Sequence, residues 1–426
     1  MPSDKLVPFR WPSGWTDPAL LKLLESGPIN CLLLEDSGRS KPIADAARNA
    51  GLTVREWSSL GAAPLAEVKW DSTAPETVIT GLVWPRIKLS PGGRPDTAQA
   101  GPTGAPWIDS NSWVARLAAA RAPHRPVWLG FELSKDDPVA DAAAYQIAIA
   151  DSAAAGAQWM IRLEDRLAGE LAAANADALK TWRGILAAAA FFEKHRDWMS
   201  WEPWGALGVL SSFAGDSEFL AQEMLNLAAR RNLHYRVLDR SATAGPKLEG
   251  LRAVLYVDNE PPSAGLKEKL DGFARAGGLV IVPRALGSKF AAGSPGPCPV
   301  AGYEQRPLGK GWVAVATRDW DDPYFLAADA HSLVSRRYDP VRLFNARSLW
   351  EHYSLAPDGR ALLQLVGFTG RPNESLSMVV ERRWRSASMY TVGAEAPAAL
   401  EPVEVEGNLE YHLPPFSLYA ALELKS

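Results

Sequence analysis

Over residues 1 to about 203, short apolar runs alternate with helical stretches, and this alternation restricts the fold more than any other feature. Ile29–Glu35 (INCLLLE) reads as a buried strand, and Ile43–Ala50 as a helix stopped by Gly51. Leu52–Trp57 and Thr77–Trp84 are the next strands, and Trp113–Ala122 is a helix. Pro126–Leu133 (PVWLGFEL) and Gln158–Leu163 (QWMIRL) are strands followed or separated by the helices Val139–Ala155 and Ala176–His195. With Val7–Trp11 this makes six or seven strands. Repeating βα units imply parallel strands with helices outside. The expected fold is α/β, a (β/α) barrel, complete or incomplete, because the stretch sits at the low end for eight strands.

Residues 204–340 continue the alternation as an open parallel sheet with helices on both faces. No GxGxxG or GxxxxGK[ST] follows its strands, so those nucleotide-binding modes are excluded. From about residue 341 the period changes. Short strands such as Ala361–Val366 and Ser417–Leu424, separated by turns such as Pro357-Asp358-Gly359, predict an antiparallel β-sandwich. The expected divisions are 1–203, 204–340 and 341–426.

Charge narrows the partners. Lys+Arg total 45 and Asp+Glu 49, so no basic surplus is available to neutralise phosphates, and nucleic acid is not an expected partner. The apolar run Ile185–Phe192 is far short of a membrane span. The start has no apolar signal region. The expectation is a soluble chain, with the compartment open between cytoplasmic and secreted or periplasmic with a signal removed. Cys31 and Cys298 read as free structural thiols. The six His are scattered without HxH or HExxH, and no GxSxG occurs, so neither metal nor cofactor is expected.

Tryptophan is over-represented: 17 in all, 13 of them before residue 205. An indole gives a flat apolar face with a polar edge, which suits both core packing and stacking under a sugar ring. Hydrolysis of a glycosidic bond needs two carboxylates, ~5 Å apart for retention or ~6.5–9.5 Å for inversion. In a barrel they come from carboxyl ends of strands. Glu35, Glu132, Glu164 and Asp165 close apolar runs there, and Asp109 follows the long Gly/Pro-rich stretch 86–106. The expected catalytic pair is Glu132 with Asp165, with Asp109 and Glu35 as substitutes. Trp11, Trp84, Arg86, Trp107, Asn111 and Glu164 are the expected substrate-binding residues. Each also has a structural reading: helix cap for Asp109, rim ion pair for Glu132, core packing for every Trp. Acids each tied to an arginine would favour a catalytically silent binding or scaffold protein.

Two segments, Ala253–Pro283 (AVLYVDNEPPSAGLKEKLDGFARAGGLVIVP) and Leu409–Leu424 (LEYHLPPFSLYAALEL), resemble the middle domain and closing strands of family 42 glycoside hydrolases, the retaining β-galactosidases. Trp107–Asn111 (WIDSN) and Phe191–Trp198 (FFEKHRDW) are similar to segments of uncharacterised bacterial glycosidase-like proteins. The resemblance implies a barrel, then a flavodoxin-like domain of the class I glutamine amidotransferase type, then a β-sandwich. It implies a hydrolase acting on an oligosaccharide and permits a homo-oligomer through the middle domain. The elbow after Leu210 reads Ser211-Ser212-Phe213-Ala214, without the amidotransferase cysteine. Residues 1–203 also lack the Asn-Glu pair that marks the acid/base of the wider clan.

Overall fold

A computed structural model describes residues 5–36, 38, 40–87, 108–123, 125–132, 141–242, 245–290, 294–346, 348–381 and 383–426. The strands of the first unit are Pro8–Arg10, Cys31–Leu34, Thr53–Glu56, Ala63–Pro64, Thr77–Thr80, Val127–Leu129 and a last segment split into Gln158–Trp159 and Ile161–Arg162. Every ladder between them is parallel, and spatial order follows chain order. The split segment carries two ladders. Gln158–Trp159 pairs with Val127–Leu129, while Ile161–Arg162 pairs with Pro8–Arg10, joining the last strand to the first. Among the described residues no ladder joins Thr53–Glu56 to Ala63–Pro64. The two-residue strand Ala63–Pro64 is too short to leave a periodic signal and is an addition to the expected set.

Side chains alternate across a strand, and the two faces enter separate cores. Cys31, Leu33, Val78, Trp128 and Met160 form one cluster enclosed by the strands. Phe9, Leu32, Leu34, Ile79, Leu129, Trp159 and Ile161 join the other, with helix residues such as Leu117, Tyr145 and Ile185. Gly130 belongs to the enclosed row, two positions after Trp128. A Cβ there would collide with the Met160 methyl group, so a glycine lets the sulfur side chain fill the centre.

The middle unit is a sheet whose parallel strands lie in the order Tyr235–Asp239, Leu207–Ser211, Ala253–Tyr256, Leu279–Val282, Gly311–Ala316. Tyr303–Leu308 and Gly296–Pro297 extend it antiparallel. Alternation again separates two cores: Ala253, Leu255 and Val257 pack with Met224 and Leu225 of the Glu218–Arg230 helix, whereas Val254 and Tyr256 pack with Leu266 and Leu270 of the Ala264–Arg275 helix.

The C-terminal unit is wholly antiparallel. Tyr353, Leu363, Leu365 and Leu422 of the larger sheet face Met378, Val380 and Tyr411 of the smaller one. The outer face of the larger sheet is buried as well. Trp350, Leu362, Val366 and Tyr419 join the main core beside the helices Ala142–Ala154 and Ala176–Lys194, and Gln364 Nε2 donates to the Ala154 carbonyl at 3.3 Å. Glu202–Pro203, at the end of the first unit, adds an edge strand to this sheet. No helix among the described residues is long and apolar enough to cross a membrane.

Candidate functional site

The period of two that builds the enclosed core also builds what lies above it. Trp128 and Gly130 lead to Glu132, Cys31 and Leu33 to Glu35, Met160 to Arg162, and Pro8 to Arg10. These four charged residues therefore emerge over the core at the carboxyl ends of the strands. Arg10 Nη1 donates to Glu132 and its Nη2 to Glu35, while Arg162 Nη1 donates to the second oxygen of Glu132. The Arg10 guanidinium also lies over the Trp57 ring, 4.0 Å from its centroid, a cation–π contact. The Arg10 side chain is 10% exposed, against 49% for Glu35 and 47% for Glu132. One buried cation thus organises two half-exposed carboxylates.

Glu132 is brought to Glu35, one of the two expected substitutes, and both share Arg10. The two acids are separated by one guanidinium and its hydrogen bonds, which is the scale of glycosidase carboxylate pairs, ~5–9.5 Å. Asp165 is the exposed first residue of the helix Asp165–Ala172, three positions after the strand end at Arg162, and among the described residues it has no ion pair with Arg10 or Arg162. Glu164 is the N-cap of that helix and lies 3.8 Å from Arg166. Its backbone N–H donates to the Tyr145 hydroxyl at 3.1 Å.

The remaining expected residues divide as follows. Trp11 is buried, edge-on to Trp15 at 5.0 Å, and its Nε1 donates to the Trp15 carbonyl. Trp84 is half-buried against Phe131, Tyr145 and Trp159. Asn111 is buried and clamps the Val83 backbone, accepting from its N–H at 3.1 Å and donating to its carbonyl at 2.7 Å. Asp109 pairs in register with the exposed Arg86 in a short antiparallel ladder. Trp107 lies outside the described residues, as do 88–106 and 133–140.

Two groups of buried ionisable residues were not expected. Asp151, on the Ala142–Ala154 helix, accepts from the Ser110 hydroxyl and from the Asn111 N–H at 2.8 Å. Burial pushes its carboxyl up to about 6. It serves the start of the Ser112–Arg121 helix, where a carboxylate meets free N–H groups. The second group lies where the three units meet. Arg116 reaches His352 Nδ1 at 2.7 Å and the Tyr235 carbonyl at 3.3 Å, and His234 lies 3.5 Å from Glu351. At that distance the last two could share an ion pair. Burial of both, with the Arg116 cation beside the imidazole, instead favours each neutral: His234 is lowered to about 3 and Glu351 is raised well above the usual range. The signal for this junction was present only as isolated histidines, His234 just before a strand and His352 within one.

At the carboxyl ends of Leu207–Ser211 and Ala253–Tyr256, where doubly wound sheets bind ligands, side chains are already engaged. Asp258 accepts from the Ser211 hydroxyl, from the Ser212 N–H at 2.9 Å and from Arg240 at 3.0 Å. Among the described residues no three His, Cys, Asp or Glu side chains group to hold a metal ion.

No protein-family model matches this chain, and no curated protein matches it in sequence. Solved structures do. The α-L-fucosidase isoenzyme 2 of Paenibacillus thiaminolyticus superposes with a TM-score of 0.52 at 10% identity, over 96% of this chain and 80% of that one. A catalytic mutant of Gan42B, a GH42 β-galactosidase from G. stearothermophilus, gives 0.51 at 9% identity, over 99% and 98%. Identity this low speaks for the fold alone: the chain is similar, from end to end, to glycoside hydrolases of the family 42 type.

Proposed function

We propose that this chain is a saccharide-binding protein built on glycosidase architecture, with an incomplete barrel, a flavodoxin-like middle domain acting as scaffold, and a β-sandwich. In this reading the Arg10–Glu35–Glu132–Arg162 group is the floor of the binding mouth and does not hydrolyse the ligand. The observation that carries it is that both strand-end carboxylates accept hydrogen bonds from guanidinium groups. A glycosidase acid must bring a proton to the leaving oxygen, and an oxygen accepting from a guanidinium is engaged as an acceptor. Such a charge-balanced group is suited to sugar hydroxyls, which both donate and accept. Hydrolysis is the second reading, favoured by the closeness of Glu35 and Glu132 and by their half-exposure.

The binding reading is tested by calorimetric titration of the full chain with neutral oligosaccharides. Glu132→Gln and Arg162→Ala are each expected to weaken binding by about tenfold, the loss of one charge-assisted contact. Binding unchanged in both variants would place the ligand elsewhere.

A further inference from the structure

A separate cleft of about 940 Å³ opens on the opposite side of the first unit, between it and the middle sheet. Its walls come from the loop before Thr77–Thr80, from the end of the Ser112–Arg121 helix and from the strand Tyr235–Asp239. The volume falls within the range of ligand sites, and junctions between units are where such sites concentrate. Small side chains, among them Ala119, Ala214 and Gly245, keep it open.

Three features define what would fit. First, the lining charges cancel: Arg121, Arg236 and Lys247 against Asp71, Glu202 and Asp239. A phosphorylated or acidic ligand would meet three carboxylates, and an acyl chain would leave six charged groups unsolvated. Second, donors and acceptors remain for a ligand. Tyr235–Asp239 pairs on one side only, and the bond from Arg240 N–H to the Ser211 carbonyl sets its phase, so the N–H and carbonyl of Val237 turn away from the ladder toward the cleft. Third, Trp70 contributes a half-buried indole to the wall. Arg121 sits 5.1 Å from the centre of that ring and is itself fixed by Asp239 at 2.9 Å and by the Ser212 carbonyl at 2.7 Å, so the indole is held in place.

We infer that this cleft binds a neutral oligosaccharide, at a site distinct from the strand-end mouth. The inference does not rest on the reading of the mouth, because its evidence comes from other residues. The test titrates short neutral β-linked gluco-, xylo-, manno- and galacto-oligosaccharides into the full chain, its Trp70→Ala and Glu202→Gln variants, and Glu132→Gln. At least one series is expected to bind at two sites: one component is weakened only in Glu132→Gln and belongs to the mouth, and the other is about tenfold weaker in Trp70→Ala and belongs to the cleft. Glu202 is exposed, so Glu202→Gln keeps the test valid if Trp70→Ala unfolds, and it too should weaken binding. The inference is overturned if no series binds. It is equally overturned if binding is lost only in Glu132→Gln, an outcome that upholds the mouth and removes the cleft. Capture of an extended peptide along the free strand edge in place of any sugar would also overturn it.

Discussion

Replacing Trp128 with Ala is expected to cost about 3–5 kcal/mol of stability, the range for deleting a fully buried large aromatic side chain. Trp128 is completely buried and fills the space enclosed by the strands with Cys31, Leu33, Val78 and Met160. Few of those neighbours can close the void, because each is fixed on its own strand. The indole Nε1 has no hydrogen-bond partner, so the cost is one of packing. Urea unfolding monitored by circular dichroism measures it. Since Glu132 stands four residues further along the same row, the same variant should also loosen the Arg10 group. A cost below about 1 kcal/mol would mean that the enclosed core is not packed as described.

The second large effect is on the pH dependence of stability. An unfolded glutamate ionises near 4.5, whereas burial holds Glu351 protonated well above that. The folded state therefore keeps a proton that the unfolded state releases. Stability is lost as pH rises from 4.5 toward the folded value, by about 1.4 kcal/mol per pH unit. A glutamine side chain at this position has no such proton to lose. Glu351→Gln should thus gain on the parent progressively above pH 4.5 and show its smallest advantage at that pH. The histidines act in the other direction. His234 is depressed from 6.5 to about 3 and His352 is also lowered, so stability is lost as pH falls below 6.5, in the variant as in the parent. Denaturant midpoints at pH 4.5, 6 and 7.5 separate the two. A difference between variant and parent that stays constant with pH would refute this account of the junction.

Particular residues show how far the sequence could be read. The run Pro126–Leu133 already implied that Trp128, Gly130 and Glu132 share a face, and the enclosed cluster contains Trp128 as that parity requires. The acids at strand ends were visible for the same reason. Their pairing was not, because it depends on which strands become neighbours. Pro8–Arg10 lies between Cys31–Leu34 and Ile161–Arg162, and only that order lets Arg10 reach both Glu35 and Glu132. Asp165 looked equivalent to them in the sequence. In the structure the strand stops at Arg162 and Asp165 opens the following helix, so it does not share the strand register of Glu35 and Glu132. Asn111 was legible as a polar residue beside Asp109, but its engagement with Val83 depends on a backbone 28 residues away. Glu351 and His352 sit in a strand whose alternation suggests one wet face. The larger sheet is covered on both faces, by the smaller sheet and by the first unit's helices, and no local pattern records the second cover.

The most direct measurement is turnover of a panel of aryl glycosides by the full chain, with Glu35→Gln and Glu132→Gln in parallel. The account predicts no release above the uncatalysed rate by any of the three. Release by the parent that falls by about a hundredfold or more in either variant, the scale of a lost acid or base, would contradict it and make Glu35 and Glu132 a working hydrolytic pair.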